Sequence, residues 1–303
     1  MAQVPESSNS FLVPQTMRGK VVIVTGATAG IGEVTAVALA EKGATVVIVG
    51  RNLVKTEATV SKIIEATANP NVKYLLADLS SLKQIRRLAD QFISQYDRLD
   101  VLVNNAGANY FRKVLTQDGY EMTFALNHLS YFYLTSLLLN LIQSTAQNEG
   151  EARIINVASE AHRSGKIVFD DLMFERRIYE FGGWRAYAQS KLANILFTFE
   201  LARRLQGSQV TTNAVHPGLV ATKVGHNNGW GARLVMKSVQ KFAISPQEGA
   251  QTSIYLASWP EMKGVTENYF YRCQPIKAEK SAYDLDNARR LWEVSEELVM
   301  NAI

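Results

Sequence analysis

Residues 21–32 read Val21-Val22-Ile23-Val24-Thr25-Gly26-Ala27-Thr28-Ala29-Gly30-Ile31-Gly32, and an amphipathic run follows as far as Lys42. The β-branched start suits a buried strand, and the glycines suit a sharp turn into a helix. A helix beginning near Gly30 turns free N–H groups and the positive end of its dipole towards the strand's end, which favours an anion such as a pyrophosphate. The glycines fall in the pattern Gly-x-x-x-Gly-x-Gly over Gly26, Gly30 and Gly32, unlike the commoner Gly-x-Gly-x-x-Gly of dinucleotide folds. A tight βα turn with no ligand reads the same way, so other segments have to decide.

Outward from this stretch, short β-branched runs alternate with longer amphipathic ones, the pattern of a parallel sheet with helices on both faces. Strands are expected at Val21–Val24, Thr45–Val49, Val72–Leu76, Val101–Val103, Ile154–Val157, Thr211–Val215 and Tyr269–Tyr271. They predict an α/β, doubly wound sheet of seven mainly parallel strands. No repeat or low-complexity linker divides the chain, so one domain is expected over residues 19–303, after a flexible tail at 1–18.

Composition excludes several classes. With 303 residues, 47% hydrophobic and 20% charged, the chain can bury a large core and is not a disordered polypeptide. The net charge of +4 is spread along the sequence without a basic run, which argues against nucleic-acid binding. One cysteine, Cys273, cannot form an intramolecular disulfide, and the four histidines are too scattered for a zinc site. The longest apolar run, Tyr131 to Ile142, falls short of the ~20 residues that span a bilayer and reads as a buried helix. The first residues lack the apolar core of a secretory signal. A soluble cytoplasmic protein with no transmembrane anchor and no metal is the expectation.

The second strand ends in Gly50-Arg51-Asn52, where folds that prefer NAD carry an acidic residue for the ribose 2′-hydroxyl. A guanidinium there pairs with a 2′-phosphate, so the reading is NADP(H) over NAD(H), although a solvated surface arginine fits too. After the third strand, Asp78 in Ala77-Asp78-Leu79 could bond an adenine amino group or cap the next helix; base binding by Asp78 with Ser80 as the cap satisfies both. Tyr187 and Lys191 lie one helical turn apart, so both side chains leave one face.

Joined in order, the glycine loop, Asn104-Asn105-Ala106-Gly107, Asn127, Ser159 and Tyr187-Ala188-Gln189-Ser190-Lys191 resemble the short-chain dehydrogenase/reductase family over residues 18 to about 300. The retinol dehydrogenase-like branch is the nearer resemblance. It rests on Asn156 to His162 (NVASEAH), Tyr187 to Leu201 (YAQSKLANILFTFEL), His216-Pro217-Gly218 and Ala288 to Ser295 (ARRLWEVS). The chain departs from that branch at Ala158, where a second serine is usual, and shows no N-terminal membrane anchor.

The resemblance implies a Rossmann-type fold and a catalytic set of Asn127, Ser159, Tyr187 and Lys191. Tyr187 would exchange a proton with the substrate oxygen, Ser159 would hold that oxygen, and the Lys191 ammonium with the nicotinamide ring would lower the Tyr187 pKa. Lys191 would also bond the nicotinamide ribose, and Asn127 would join a water-linked relay to it. The implied cofactor wall runs from Gly26, Thr28, Ala29, Gly30, Ile31 and Gly32 past Arg51, Asn52, Asp78 and Leu79. It continues through Asn105, Ala106, Gly107, Tyr187 and Lys191 to Pro217, Gly218, Val220 and Thr222. His216 itself reads as a packed strand residue.

Between Ser159 and Tyr187 lie Phe169, Phe174, Tyr179, Phe181 and Trp184; a second stretch, 223–245, carries Trp230, Leu234, Met236 and Phe242, with Gly225, Gly229 and Gly231 as hinges. The second reads as a substrate lid. Together these aromatics either line a crevice for a lipophilic aldehyde, ketone or alcohol or cover the core or a subunit interface. A reversible NADPH-dependent carbonyl reductase is the leading expectation. The alternatives are C=C reduction, as in the related light-dependent protochlorophyllide reductases, and a catalytically silent nucleotide-binding scaffold. The resemblance further implies a homodimer or homotetramer, through the helices around Tyr131–Ile142 and Tyr187–Leu205.

Overall fold

The computed structural model describes residues 16–179, 183–218 and 244–301. The tail read at 1–18, apart from residues 16–18, lies outside them, as do Phe181, Val220, Thr222 and the lid read at 223–245 except Ile244 and Ser245. Met17, within the segment read as tail, is buried, and its N–H donates to Lys42 O at 2.7 Å.

Eight described strands form one sheet: β1 (Val21–Thr25), β2 (Thr45–Gly50), β3 (Val72–Leu76), β4 (Val101–Asn104), β5 (Ala152–Val157), β6 (Val210–Val215), β7 (Asn268–Tyr271) and β8 (Gln274–Ile276). Their order is β3-β2-β1-β4-β5-β6-β7-β8. Every pairing is parallel except β7 with β8. The eighth strand corrects the expected seven. It returns through Arg272 and Cys273, both at positive φ (47° and 60°), as a two-residue hairpin turn demands. Neither residue is the usual Asn or Gly of such a turn, and Pro275 lies inside the strand, which sequence reasoning takes as a mark against a strand.

The α-helices of the described residues are α1 (Gly30–Glu41), α2 (Leu53–Thr67), α3 (Leu82–Gln95), a short α4 (Met122–Phe124), α5 (Ser130–Glu149) and α6 (Trp184–Arg204), then Pro246–Ser258 as α7 and Leu285–Asn301 as α8. Every residue of β1, β4, β5 and β6 is buried, because helices cover both faces of the sheet. One face packs residues such as Leu88 and Phe92 of α3 and Leu134 and Leu138 of α5; the other packs Leu39 of α1 and Leu256 of α7.

Helix α6 is buried from Ala188 to Ala202. α8 lies against it and against α5: the Trp292 ring meets Phe132 at 5.0 Å and Phe197 at 5.8 Å, under the Arg204 guanidinium. Ser295 Oγ, already donating to Leu291 O, accepts from His128 Nε2 at 2.9 Å. Burial brings His128 down to about 3, so this histidine is a neutral packing residue. Among the described residues no helix is long and apolar enough to cross a membrane.

Candidate active site

The β1–α1 turn sits at the carboxyl end of the sheet. Gly26 has φ +64°, and a Cβ there would lie 2.8 Å from Ala106 Cα. Thr25 clasps β1 to β4. Its hydroxyl donates to Val103 O and accepts from the N–H groups of Asn105 and Ala106, while Asn105 Nδ2 donates to Thr25 O at 2.7 Å. Helix α1 begins at Gly30 behind Ala29, which supplies no side-chain cap. Its first N–H groups are therefore left for an anion.

Arg51 is exposed just beyond β2. Asn52 caps α2, its Oδ1 accepting from Lys55 N at 2.9 Å, so this side chain already has a structural task. Asp78 Oδ1 accepts from both the N–H and the hydroxyl of Ser80, at 3.0 and 2.7 Å. The expected cap by Ser80 is not formed. Ser81 takes the cap position, and a distant carboxylate, Asp118, accepts from Leu82 N at 2.9 Å. Leu79 and Ala106 are buried, and Pro217 and Gly218 follow β6 half-exposed.

Asn127 lies in a π-helical turn, Ala125–Leu129, rather than in a regular helix. Its Oδ1 accepts from Ala108 N at 2.9 Å, and its Nδ2 donates to Ala108 O and to Ser190 Oγ. Gly107 stands beside it: a Cβ there would come 3.2 Å from Asn127 Oδ1 and 3.5 Å from Lys191 Nζ. The missing side chain leaves space flanked by those two polar ends.

Ser159, two residues past β5, is extended (φ −165°) and caps a 3₁₀ turn, Glu160–Ser164, its Oγ accepting from Ala161 N at 3.2 Å. Tyr187 and Lys191 project from α6 towards it. Lys191 is buried, its Nζ donating to Val157 O at 2.8 Å and lying 5.7 Å from the Tyr187 ring centre. Packing around the Tyr187 hydroxyl pushes its pKa up, opposed by a hydrogen bond with Ser159. Burial brings Lys191 down to about 7. Burial of the folded chain thus works against the expected lowering of Tyr187 and against a full ammonium on Lys191.

The aromatic insert divides. Phe174 is buried, and Tyr179 donates its hydroxyl towards Tyr110 O and Glu121 Oε1, at 3.0 and 2.9 Å. Among the described aromatics of the insert, only Trp184, 46% exposed, opens fully to solvent, with its Nε1 on Ser164 Oγ and its ring 6.1 Å from that of Tyr187. Asp171 pins the insert. Burial pushes its carboxyl up, but Arg177 and the N–H groups of residues 175–177 outweigh that and hold it at about 2. Arg177 and Leu172 O then both engage Gln189 of α6.

The structure thus gathers Ser159, Tyr187, Lys191, Asn127 and Gly107, with Arg51 and Asp78 farther along the same edge of the sheet. Sequence reasoning passed over Thr25 and Ser190, although both lie inside quoted motifs. Ser190 Oγ donates to Tyr187 O while receiving Asn127. No group of three or more His, Cys, Asp or Glu side chains that could hold a metal ion occurs among the described residues.

Residues 20–172 match the family described as short chain dehydrogenase. Human retinol dehydrogenase 13 is 42% identical over 94% of this chain and 86% of its own length; mouse retinol dehydrogenase 12 is 41% identical over 93% and 86%. Among solved structures, a Mycobacterium paratuberculosis protein superposes with TM-score 0.75 at 33% identity, covering 94% of this chain and 95% of its own. A Pseudomonas aeruginosa RhlG/NADP active-site complex gives TM-score 0.66 at 28% identity, over 84% and 95%. Sheet order, glycine turn and sequence likeness over nearly the whole length agree: this chain belongs to the short-chain dehydrogenase family and is similar to retinol dehydrogenases.

Proposed function

We propose that the protein reduces a lipophilic aldehyde or ketone with NADPH, and reversibly oxidises the corresponding alcohol. The observation that carries this reading is the contact of the Tyr187 hydroxyl with Ser159 while Lys191, one turn along, is held on Val157 O.

The residues present fit a dinucleotide. The uncapped start of α1 suits the pyrophosphate, and the gap at Gly107 between Asn127 Oδ1 and Lys191 Nζ suits a ribose with its hydroxyls. Asp78 faces the same edge for the adenine. Arg51, with no carboxylate beside it in Gly50-Arg51-Asn52, favours a 2′-phosphate. When bound, the cofactor supplies the hydride and a ring that becomes positive.

Tyr187 gives its proton to the carbonyl oxygen, and Ser159 donates a hydrogen bond to that oxygen as negative charge develops on it. Lys191, with donors beyond the one on Val157 O, holds the ribose and returns a proton towards Tyr187. Asn127, locked by Ala108 and Ser190, borders the path of that proton. In oxidation the transfers reverse. Trp184 at the mouth offers an apolar face to the substrate. On α5 and α6, where a homodimer or homotetramer contact was expected, Trp292 of α8 packs against Phe132 and Phe197 of the same chain.

Following NADPH consumption, with NADH in parallel, against retinal, aryl ketones, aliphatic aldehydes, steroids and enones tests the proposal. Turnover of saturated carbonyls with NADPH well above NADH is expected. Activity confined to enones would turn the assignment to C=C reduction.

A further inference from the structure

His162 belongs to a quoted motif that the proposed chemistry does not use, and it is fully buried. Its two ring nitrogens meet main-chain groups of opposite polarity. Nδ1 lies 2.7 Å from Ser159 O, a group that can only accept. Nε2 receives the N–H of Glu279 at 3.1 Å, a group that can only donate. One neutral tautomer alone satisfies both, with the proton on Nδ1. The Tyr269 hydroxyl lies 3.3 Å from Nδ1, and its ring meets the imidazole edge-on at 4.9 Å.

Ser159 O therefore receives both the main-chain N–H of His162, at 3.1 Å, and its ring N–H. These bonds close the 3₁₀ turn from which Ser159 points its hydroxyl towards Tyr187. The other nitrogen fastens that turn to the chain after β8, where Arg163 also donates to Lys277 O.

We infer that His162 is a positioning residue for the proposed carbonyl reduction: as a neutral Nδ1–H imidazole it ties the main chain of Ser159 to that of Glu279 and fixes the serine hydroxyl towards the substrate oxygen. The inference rests on the role proposed for Ser159. A proton on Nε2 would set two donors against each other at Glu279 and release one end of the tie. Charged and titratable groups face the ring from each side: Glu160 and Arg163 on its own turn, Tyr269 on β7, Glu279 after β8, and His216 after β6. Burial outweighs these and lowers its pKa, so the ring stays neutral at pH 7.

The test has two arms on the full chain. Histidine ¹⁵N spectra of the wild type, assigned through contact with the Glu279 amide, should show a neutral Nδ1–H tautomer at pH 7; an Nε2–H tautomer or a cation there overturns the inference. In kinetics, His162→Gln, whose amide oxygen can still accept from Glu279, and His162→Asn should each lower kcat about tenfold or more, with NADPH Kd within twofold of wild type. Because a proton on Nε2 breaks the bond with the Glu279 N–H, wild-type kcat should fall on the acid side, and that fall should be absent from His162→Gln. Wild-type kcat in both variants overturns the positioning role and leaves the carbonyl reaction standing. If the wild type turns over no carbonyl, it is the reaction that fails. The tautomer, read without substrate, then decides the tie alone, as it does if the variants do not fold.

Discussion

Lys191 Nζ donates to Val157 O at 2.8 Å, so the buried lysine of α6 is fastened to the last residue of the strand that leads to Ser159. Asn194, one turn farther along α6, donates to the same oxygen at 3.3 Å. Two side chains on one carbonyl fix the distance between helix and strand, and with it the approach of Tyr187 to Ser159.

The cost of holding Lys191 there is measurable. Its folded pKa, about 7, lies below the ordinary 10.5. Above pH 10.5 both states are neutral and the group has no effect; as pH falls towards 7 the unfolded chain binds a proton that the folded chain does not, and stability is lost at ~1.4 kcal/mol per pKa unit. Lys191→Met should therefore melt above the wild type at pH 7.5, with the difference shrinking towards pH 10.5, while turnover disappears. Equal melting curves at pH 7.5 would contradict this.

The proposed preference for NADPH rests on Arg51. Replacing it by glutamate removes a charge-assisted pair worth roughly 1.5–3 kcal/mol and adds repulsion. For Arg51→Glu, the NADPH KM should rise at least about tenfold while that for NADH changes little, as measured by initial rates with each cofactor.

Asp171 holds the segment before Tyr187 through Arg177 and three backbone N–H groups. Asp171→Asn should cost about 1.5–3 kcal/mol in urea unfolding at pH 7, the range for hydrogen bonds to a charged group. Because the folded pKa, about 2, is depressed below the ordinary 3.8, the wild-type advantage is complete above pH 4 and is lost as pH falls through 2.

Trp292 seals α8 onto α5 and α6. Truncating it should leave a cavity costing about 3–5 kcal/mol and open an apolar face on both helices. Urea unfolding of Trp292→Ala gives the first quantity, and sedimentation shows whether the opened face associates.

Much of the fold was legible because its strands are buried on both faces: Val21–Val24 and Thr45–Val49 carry runs of β-branched residues that need no context. β8 was not, since Arg272, Cys273 and Pro275 carry none of the usual hairpin chemistry. The site motifs were legible as a set, but their hydrogen bonds were not. The bonds of Asn127 depend on a π-helical turn and on Ser190, and the partner of Lys191 is a main-chain carbonyl, which no side-chain pattern encodes. For Phe174 and Tyr179, periodicity could not separate core from crevice, because both uses place aromatics next to apolar neighbours.

Proton donation by Tyr187 is most directly tested with Tyr187→Phe, measuring NADPH binding by fluorescence and single-turnover hydride transfer to the best carbonyl substrate. The variant should bind NADPH within twofold of wild type and lose about 10²–10⁴-fold in the rate of transfer, the span of general acid catalysis. Transfer at the wild-type rate would contradict the assignment of Tyr187 as the proton donor.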